Sequence, residues 1–338
     1  MSRATKVFLC TVVNESNAQN INCNLLIKYK TNELLEYSAL CNHKLTMPSS
    51  NFKAIKCNPG NTISLALAYL LGVWRADIVY APRNELWVWL MILCKALRKK
   101  VVKTVEVVIN NNKPLPSRLR YSYADKLYPM TSFLREEYSN LLELDFEKEN
   151  LLVPNEPVIV ESAANKKGKL ENILMAGFDL DRKGLRDYML LAKWNPSITF
   201  HLVGGKVEKE VRKKVWGTGN LQYHGKLEHE NYKKLLNIIQ VDLFCLPSRI
   251  EGFPKVVVEM ASIKVPSMLY NDYGADEFIE DGVTGFVCRD VHQMDGVLKL
   301  LQSDFQRLER VYQNLGRLAY LWDTETLARK YEAVFTEV

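Results

Sequence analysis

The sequence predicts an α/β protein of two doubly wound domains, and three observations carry that reading. The 338 residues exceed one typical domain and suffice for two cores of ordinary size. Short apolar runs alternate with helix-like stretches in both halves, the pattern of parallel sheets wrapped in helices. Glycine divides the chain, since only Gly60 and Gly72 precede Gly168 while fourteen of the sixteen lie from Gly168 to Gly316. Glycine allows tight turns and close backbone approach to a ligand, which points to nucleotide binding in the second half. In such a fold, ligands collect at the carboxyl ends of the strands.

Lys6–Val13 reads as the first strand, followed by the polar run Asn14–Asn20 and a helix over Ile21–Lys30. Glu33–Leu40 and Phe52–Cys57 are candidate strands. Thr62–Gly72 reads as a helix capped by Asn61 or Thr62. A strand at Ala76–Tyr80 and a helix at Asn84–Leu97 follow, and the basic Arg98-Lys99-Lys100 complements the helix dipole. With Trp87 and Trp89, that basic end suits contact with a membrane surface as well as it suits ordinary capping. Val101–Ile109 is the next strand, with Glu106 inside it. A carboxylate in so apolar a run is costly unless it is partnered or sits at a strand end. Ala124–Leu142 gives a strand and then a helix capped by Thr131 or Ser132, and Lys166–Lys169 reads as a loop near the domain boundary.

In the second half, Ile173–Met175 opens a strand that runs into a turn at Arg182-Lys183-Gly184, which by itself reads as a plain solvated turn, although paired cations there could neutralise a diphosphate. Ile198–Gly205 is a strand ending in the double glycine Gly204-Gly205. Glu230–Ile239 is a helix, Val241–Leu246 a buried strand, and Ser303–Val338 is helical.

The stretch Ser248–Met260 concentrates the chemistry. Pro254 suits the first turn of a helix, where its missing N–H costs nothing. Free N–H groups at that helix start favour a phosphate, and Lys255 in the same turn is a cation where the dipole disfavours one. Glu251 and Glu259 stand eight residues apart, up to ~12 Å along a helix, so that one carboxylate could hold hydroxyls on each side of a diphosphate. The triplet Val256–Val258 also suits a strand, which would make both glutamates plain surface charges.

Glu251-Gly-Phe-Pro-Lys-Val-Val-Val-Glu259 resembles the E-x7-E signature of the retaining glycosyltransferases of the GT4 type, the glycosyl transferases group 1. Asn271–Ile279, Asp281–Phe286, the strand and turn Ile173–Leu185, Leu221–Leu227 and Trp322-Asp323 resemble further segments of that family in the same order. The resemblance covers about residues 75–338 well and residues 1–74 loosely. It implies the GT-B fold, with two Rossmann-like domains facing an interdomain cleft. Residues 1–160 would bind the acceptor and 161–320 the nucleotide sugar, and the helix at 321–338 would cross back to the first domain.

The implied activity is transfer of a sugar from a UDP- or GDP-sugar to a hydroxyl of a glycan, a glycolipid or a similar acceptor. Glu251, Arg182, Lys183 and Glu106 are the implied catalytic set. Glu106 stands where the family often has a histidine. Glu259, Gly252, Phe253, Pro254, Lys255, Gly204, Gly205, Gly225, Lys226 and Gly274 would bind the donor. No cofactor and no metal are expected, in keeping with five scattered histidines and no H-x-x-x-H pair. His201 and His224 read as structural.

Other classes use similar scaffolds, namely nucleotide-sugar epimerases or phosphorylases and DNA-modifying glucosyltransferases or silent binding modules. Residues 1–150 hold 20 Lys and Arg against 13 Asp and Glu, an asymmetry that reads first as a solvated basic surface and also suits an anionic partner, whether membrane lipid or nucleic acid. No DNA-reading motif supports the latter. The seven cysteines form no C-x-x-C pair and read as reduced thiols of a cytoplasmic protein. No signal peptide is visible, and the longest apolar run, Leu86–Cys94, is too short to span a bilayer, so a membrane role would be peripheral.

Overall fold

The computed structural model describes residues 3–13, 18–42, 52–82, 88–106, 119, 121–152, 168–205 and 219–338. The chain divides into two compact units, Met1–Asn155 with Asp323–Val338, and Glu156–Trp322.

The first unit carries strands β1 (Thr5–Val12), β2 (Leu35–Asn42), β3 (Phe52–Cys57), β4 (Ile78–Ala81), β5 (Lys100–Val105) and β6 (Lys126–Pro129). They form one parallel sheet in the order β3-β2-β1-β4-β5-β6. Its helices are α1 (Ala18–Lys28), α2 (Thr62–Arg75), α3 (Val88–Ala96), α4 (Ser132–Leu142) and the C-terminal α10 (Thr324–Glu337).

Alternation along β1 explains the layering. Val7 and Leu9 face a core shared with Leu26 and Ile27 of α1 and with Tyr331 and Phe335 of α10. Phe8 and Cys10 face a second core, closed by Ala68 and Val73 of α2 and by Leu90, Met91 and Cys94 of α3. The helix starts follow capping chemistry: the Asn61 side chain accepts from the Ser64 N–H, and that of Thr131 from the Leu134 N–H. Buried Glu332 fixes α10 to its unit, accepting from the backbone N–H of Thr31 at 2.7 Å and from its hydroxyl at 2.7 Å.

Several elements differ from expectation. Helix α1 starts at Ala18, inside the expected polar run, and the expected helical stretch 303–338 is broken by a 3-10 segment at Leu315–Leu321. Helix α2 runs on to Arg75, past Gly72. Strand β5 ends at Val105, so Glu106 sits just beyond the strand and not within it; residues 107–109 of the expected strand lie outside the described residues. Residues 83–87, including Trp87, and the stretch 153–167 with the first half of the expected boundary loop also lie outside them.

The second unit repeats the plan with β7 (Asn172–Ala176), β8 (Thr199–Val203), β9 (Leu221–Tyr223), β10 (Leu243–Leu246), β11 (Ser267–Tyr270) and β12 (Gly285–Cys288). The parallel order is β12-β11-β10-β7-β8-β9. Helices α5 (Leu185–Trp194), α6 (His229–Ile239), α7 (Lys255–Ser262), α8 (Val291–Ser303) and α9 (Gln306–Asn314) accompany the sheet.

Strand order reverses between β7 and β10, which leaves a crevice at their carboxyl ends. The Asp242 carboxylate ties the amino ends of the same two strands by accepting from the N–H groups of Glu171 and Asn172, each at 2.7 Å. All seven cysteines are buried and unbridged. Among the described residues, no helix is long and apolar enough to cross a membrane.

Candidate functional site

The residues singled out in the second unit leave the sheet at the carboxyl ends of neighbouring strands. The turn after β7 carries Arg182 and Lys183, the end of β8 Gly204 and Gly205, the end of β9 Gly225 and Lys226, and the loop from β10 to α7 carries Glu251 to Pro254. Gly274, at φ 72°, follows β11 and starts a short 3-10 turn.

Val256–Val258 are helical, which settles the strand alternative. Pro254 is the cap residue, and Lys255 opens α7. Val257 and Val258 are fully buried against the unit's interior, so packing overrides their strand preference. Phe253 is buried edge-on against Phe278, with ring centres 4.8 Å apart, and this contact fixes the backbone just before the helix.

Lys183 links the two carboxylates. Its Nζ donates to Oε1 of Glu251 at 2.8 Å, and both side chains are nearly withdrawn from solvent. Arg182 adds a longer contact to the same oxygen at 3.4 Å and donates to the Ile250 carbonyl at 2.5 Å. The Lys183 and Lys255 charges also act on Glu259. Burial outweighs them, pushing the Glu259 carboxyl up to about 7. No hydrogen-bond donor meets that carboxylate among the described residues.

Two glycines make this arrangement possible. A Cβ on Gly177 would lie 2.2 Å from Cδ of Lys183, so only glycine lets the lysine stem cross the end of β7. Gly184 has φ +88°, and a Cβ there would meet the Pro247 carbonyl oxygen at 1.9 Å. The β7 turn therefore packs directly on the β10 loop, and Lys183 and Glu251 meet although 68 residues separate them.

Beside the pair lies a cavity of about 370 Å³ lined by Gly177, Gly204, Gly205, Lys226, Tyr232 and Glu259, among others. Its walls combine glycines and the apolar side chains of Phe178, Leu227 and Val256 with the polar groups of Glu259, Lys226, His229 and Tyr232, a mixture suited to a ligand with both apolar and polar parts.

Glu106 belongs to the first unit. Its Oε1 accepts from the Thr104 hydroxyl at 3.2 Å, and Thr104 continues to Tyr80 at 3.0 Å. The carboxylate thus has both conditions that make it tolerable, a strand end and a partner. His201 and His224 stack 5.3 Å apart with a 3.1 Å nitrogen contact, and burial lowers both, His201 to about 4. That pairing fits a structural role.

Two tyrosines were not foreseen. Tyr232 lines the cavity, while Tyr273 is electrostatically coupled to Glu251, and both hydroxyls are buried with no partner among the described residues. Helical periodicity marks Tyr232 only as an inward-facing residue, and nothing in the sequence around Tyr273 signals its hydroxyl. Among the described residues, no group of three His, Cys, Asp or Glu side chains gathers as a metal site.

HepE from Anabaena, solved in complex with UDP-glucose, superposes with a TM-score of 0.74 over 98% of this chain and 100% of its own, at 12% identity. The chain has the GT-B fold. Sucrose-phosphate synthase from Thermosynechococcus elongatus gives the same TM-score of 0.74, with 98% of each chain covered at 13% identity. Residues 160–316, within the second unit, match the family model of glycosyl transferases group 1. An uncharacterized glycosyltransferase of Haemophilus influenzae is 28% identical over 184 residues, which cover 50% of this chain. The match spans about half the length of that relative, 49%.

Proposed function

We propose that the protein transfers a sugar from a nucleoside diphosphate sugar, a UDP- or GDP-sugar, to a hydroxyl of a glycan, glycolipid or similar acceptor, with retention at the anomeric carbon in the manner of GT4 enzymes. The observation that carries this reading is Lys183, ion-paired to Glu251 and electrostatically coupled to Glu259, beside a glycine-walled cavity at the strand-order reversal. The UDP-glucose held by HepE supports the choice of donor class.

Departure of the diphosphate is the demanding step, and preorganised positive charge lowers its barrier. In this reading Lys183, Arg182 and Lys255 supply that charge together with the N–H groups around Gly252, Phe253 and Pro254 at the start of α7. The Glu251 pairing holds the Lys183 ammonium in place before substrate arrives. Glu251 accepts hydroxyls of the donor sugar and Glu259 those of the ribose, while Gly204, Gly205, Gly225, Lys226 and Gly274 line the path of the nucleotide and diphosphate. Glu106, at the carboxyl end of the first sheet, is assigned to a sugar hydroxyl.

No metal is part of the scheme, so turnover should survive EDTA. The test is a thermal-shift panel of nucleotide sugars, in which a ligand at a hundred times its Kd adds ~2.7 kcal/mol. Labelled donor then separates transfer from epimerisation. Stabilisation of the parent by a UDP- or GDP-sugar, with turnover lost in a folded Glu251→Gln variant, is the expected outcome. No stabilisation by any nucleotide sugar, or full turnover in Glu251→Gln, removes the assignment.

A further inference from the structure

Helix α2 is apolar on the side that faces away from the sheet. Ala68, Gly72 and Val73 are buried against the core, yet Ile63, Leu67, Leu70, Leu71 and Trp74 are 72%, 60%, 37%, 38% and 69% exposed. Their spacing of three and four residues places them on one stripe. Charged residues ordinarily occupy that face of a surface helix, but α2 has none before Arg75. Helix α3, packed beside α2, adds Ile92 at 49% exposure.

A second observation meets the first at Trp74. That residue also lines a depression of about 490 Å³ at the amino end of the sheet, whose walls carry Arg3, Lys6, Lys53, Arg75 and Lys99 against Glu36 and Asp77. Lys53 occupies Glu36 at 2.6 Å, and Arg3 occupies Asp77 at 3.4 Å. Lys99 donates to the carbonyls of Trp74 and Ala76 at the end of α2. Lys6, Arg75 and Lys99 have no carboxylate of their own among these groups.

We propose that this face of the first unit docks on a bilayer containing anionic phospholipid. The stripe of α2 would lie in the interface, with the basic depression at the level of the lipid phosphates. An interfacial helix needs an apolar face and cations beside it, and both are present around one tryptophan. A second copy of the chain would cover the stripe but leave the surplus cations unneutralised, whereas a headgroup phosphate satisfies both. The surface shares Lys99 with the basic Arg98–Lys100 end suggested by sequence but centres on α2 and Trp74, and the inference stands apart from the transfer reaction.

The test is flotation of the full chain with vesicles of phosphatidylcholine alone and with vesicles of equal parts phosphatidylcholine and phosphatidylglycerol. Binding is expected to the mixed vesicles and to weaken with salt. Leu67→Glu with Leu71→Glu should lower it at least tenfold, and Arg75→Gln about fivefold, the worth of one cation at such a surface. Stabilisation by nucleotide sugars should not change in these variants, so a failure here is distinct from a failure of the transfer reading. Absence of binding to mixed vesicles, or equal binding to neutral ones, overturns the proposal. A dimer in sedimentation that Leu67→Glu with Leu71→Glu disperses, without vesicle binding, assigns the face to a second copy and overturns it as well.

Discussion

Replacing Glu259 by glutamine tests the electrostatics of the cavity directly. Burial pushes this carboxyl from 4.5 up to about 7, against the opposing pull of Lys255 and then Lys183. The folded state therefore holds a proton that the unfolded chain has released. A carboxyl raised in this way contributes stability that is fully present below about 4.5 and lost as pH rises through about 7. At pH 8.5 the ionised group costs about 3 kcal/mol, at about 1.4 kcal/mol per tenfold change in proton affinity. Glutamine keeps the shape and removes the charge. Its second unit should be more stable than the parent at pH 8.5, by roughly 5 °C or more at about 2–4 °C per kcal/mol, and nearly equal at pH 4.5.

Thermal unfolding across this range, followed by a probe on the second unit, reads the difference. UDP titrations at pH 8.5 add the functional arm. Ribose hydroxyls donating to an ionised Glu259 should make the variant bind UDP about tenfold more weakly or worse, since hydrogen bonds to a charged group contribute about 1.5–3 kcal/mol. Parallel stability curves for parent and variant from pH 4.5 to 8.5 would refute the burial account. Unchanged UDP affinity would refute the ribose assignment.

Gly184→Ala should cost at least about 2 kcal/mol in urea unfolding and most of the turnover, because its positive φ and the Pro247 carbonyl both oppose a Cβ. Lys183→Met strands buried Glu251 and should destabilise the second unit by about 3–5 kcal/mol. Adding Glu251→Met should recover part of that stability without restoring turnover, and additive losses would show that the pair is not coupled. Glu332→Ala removes the acceptor of the Thr31 N–H and hydroxyl and should lower the unfolding midpoint of the first unit, by an amount worth about 2 kcal/mol or more, while UDP binding stays unchanged.

How far the sequence reaches is visible in single residues. The end of β10, the helix after Pro254 and the turn around Lys183 are legible because strand periodicity, proline and glycine act locally. The ion pair between Lys183 and Glu251 is not, since it depends on how closely the β7 turn approaches the β10 loop, a distance that local patterns do not encode. Glu106 misleads for a related reason: Val101–Ile109 has no turn residue before Asn110, so the apolar run conceals a strand that stops at Val105.

Gly72 misleads in the opposite direction. Glycine after an apolar helical run signals a helix end, but here a Cβ would sit 2.4 Å from the ring of Phe8, so the residue is a spacer that lets α2 settle on β1. Three more residues of helix follow, and they carry Trp74 and Arg75 to the amino end of the sheet. The same packing turns the leucines at 67, 70 and 71 outward. A segment that is apolar all round reads as a fully buried helix; only the register imposed by Gly72 against Phe8 shows which half of it is left facing solvent.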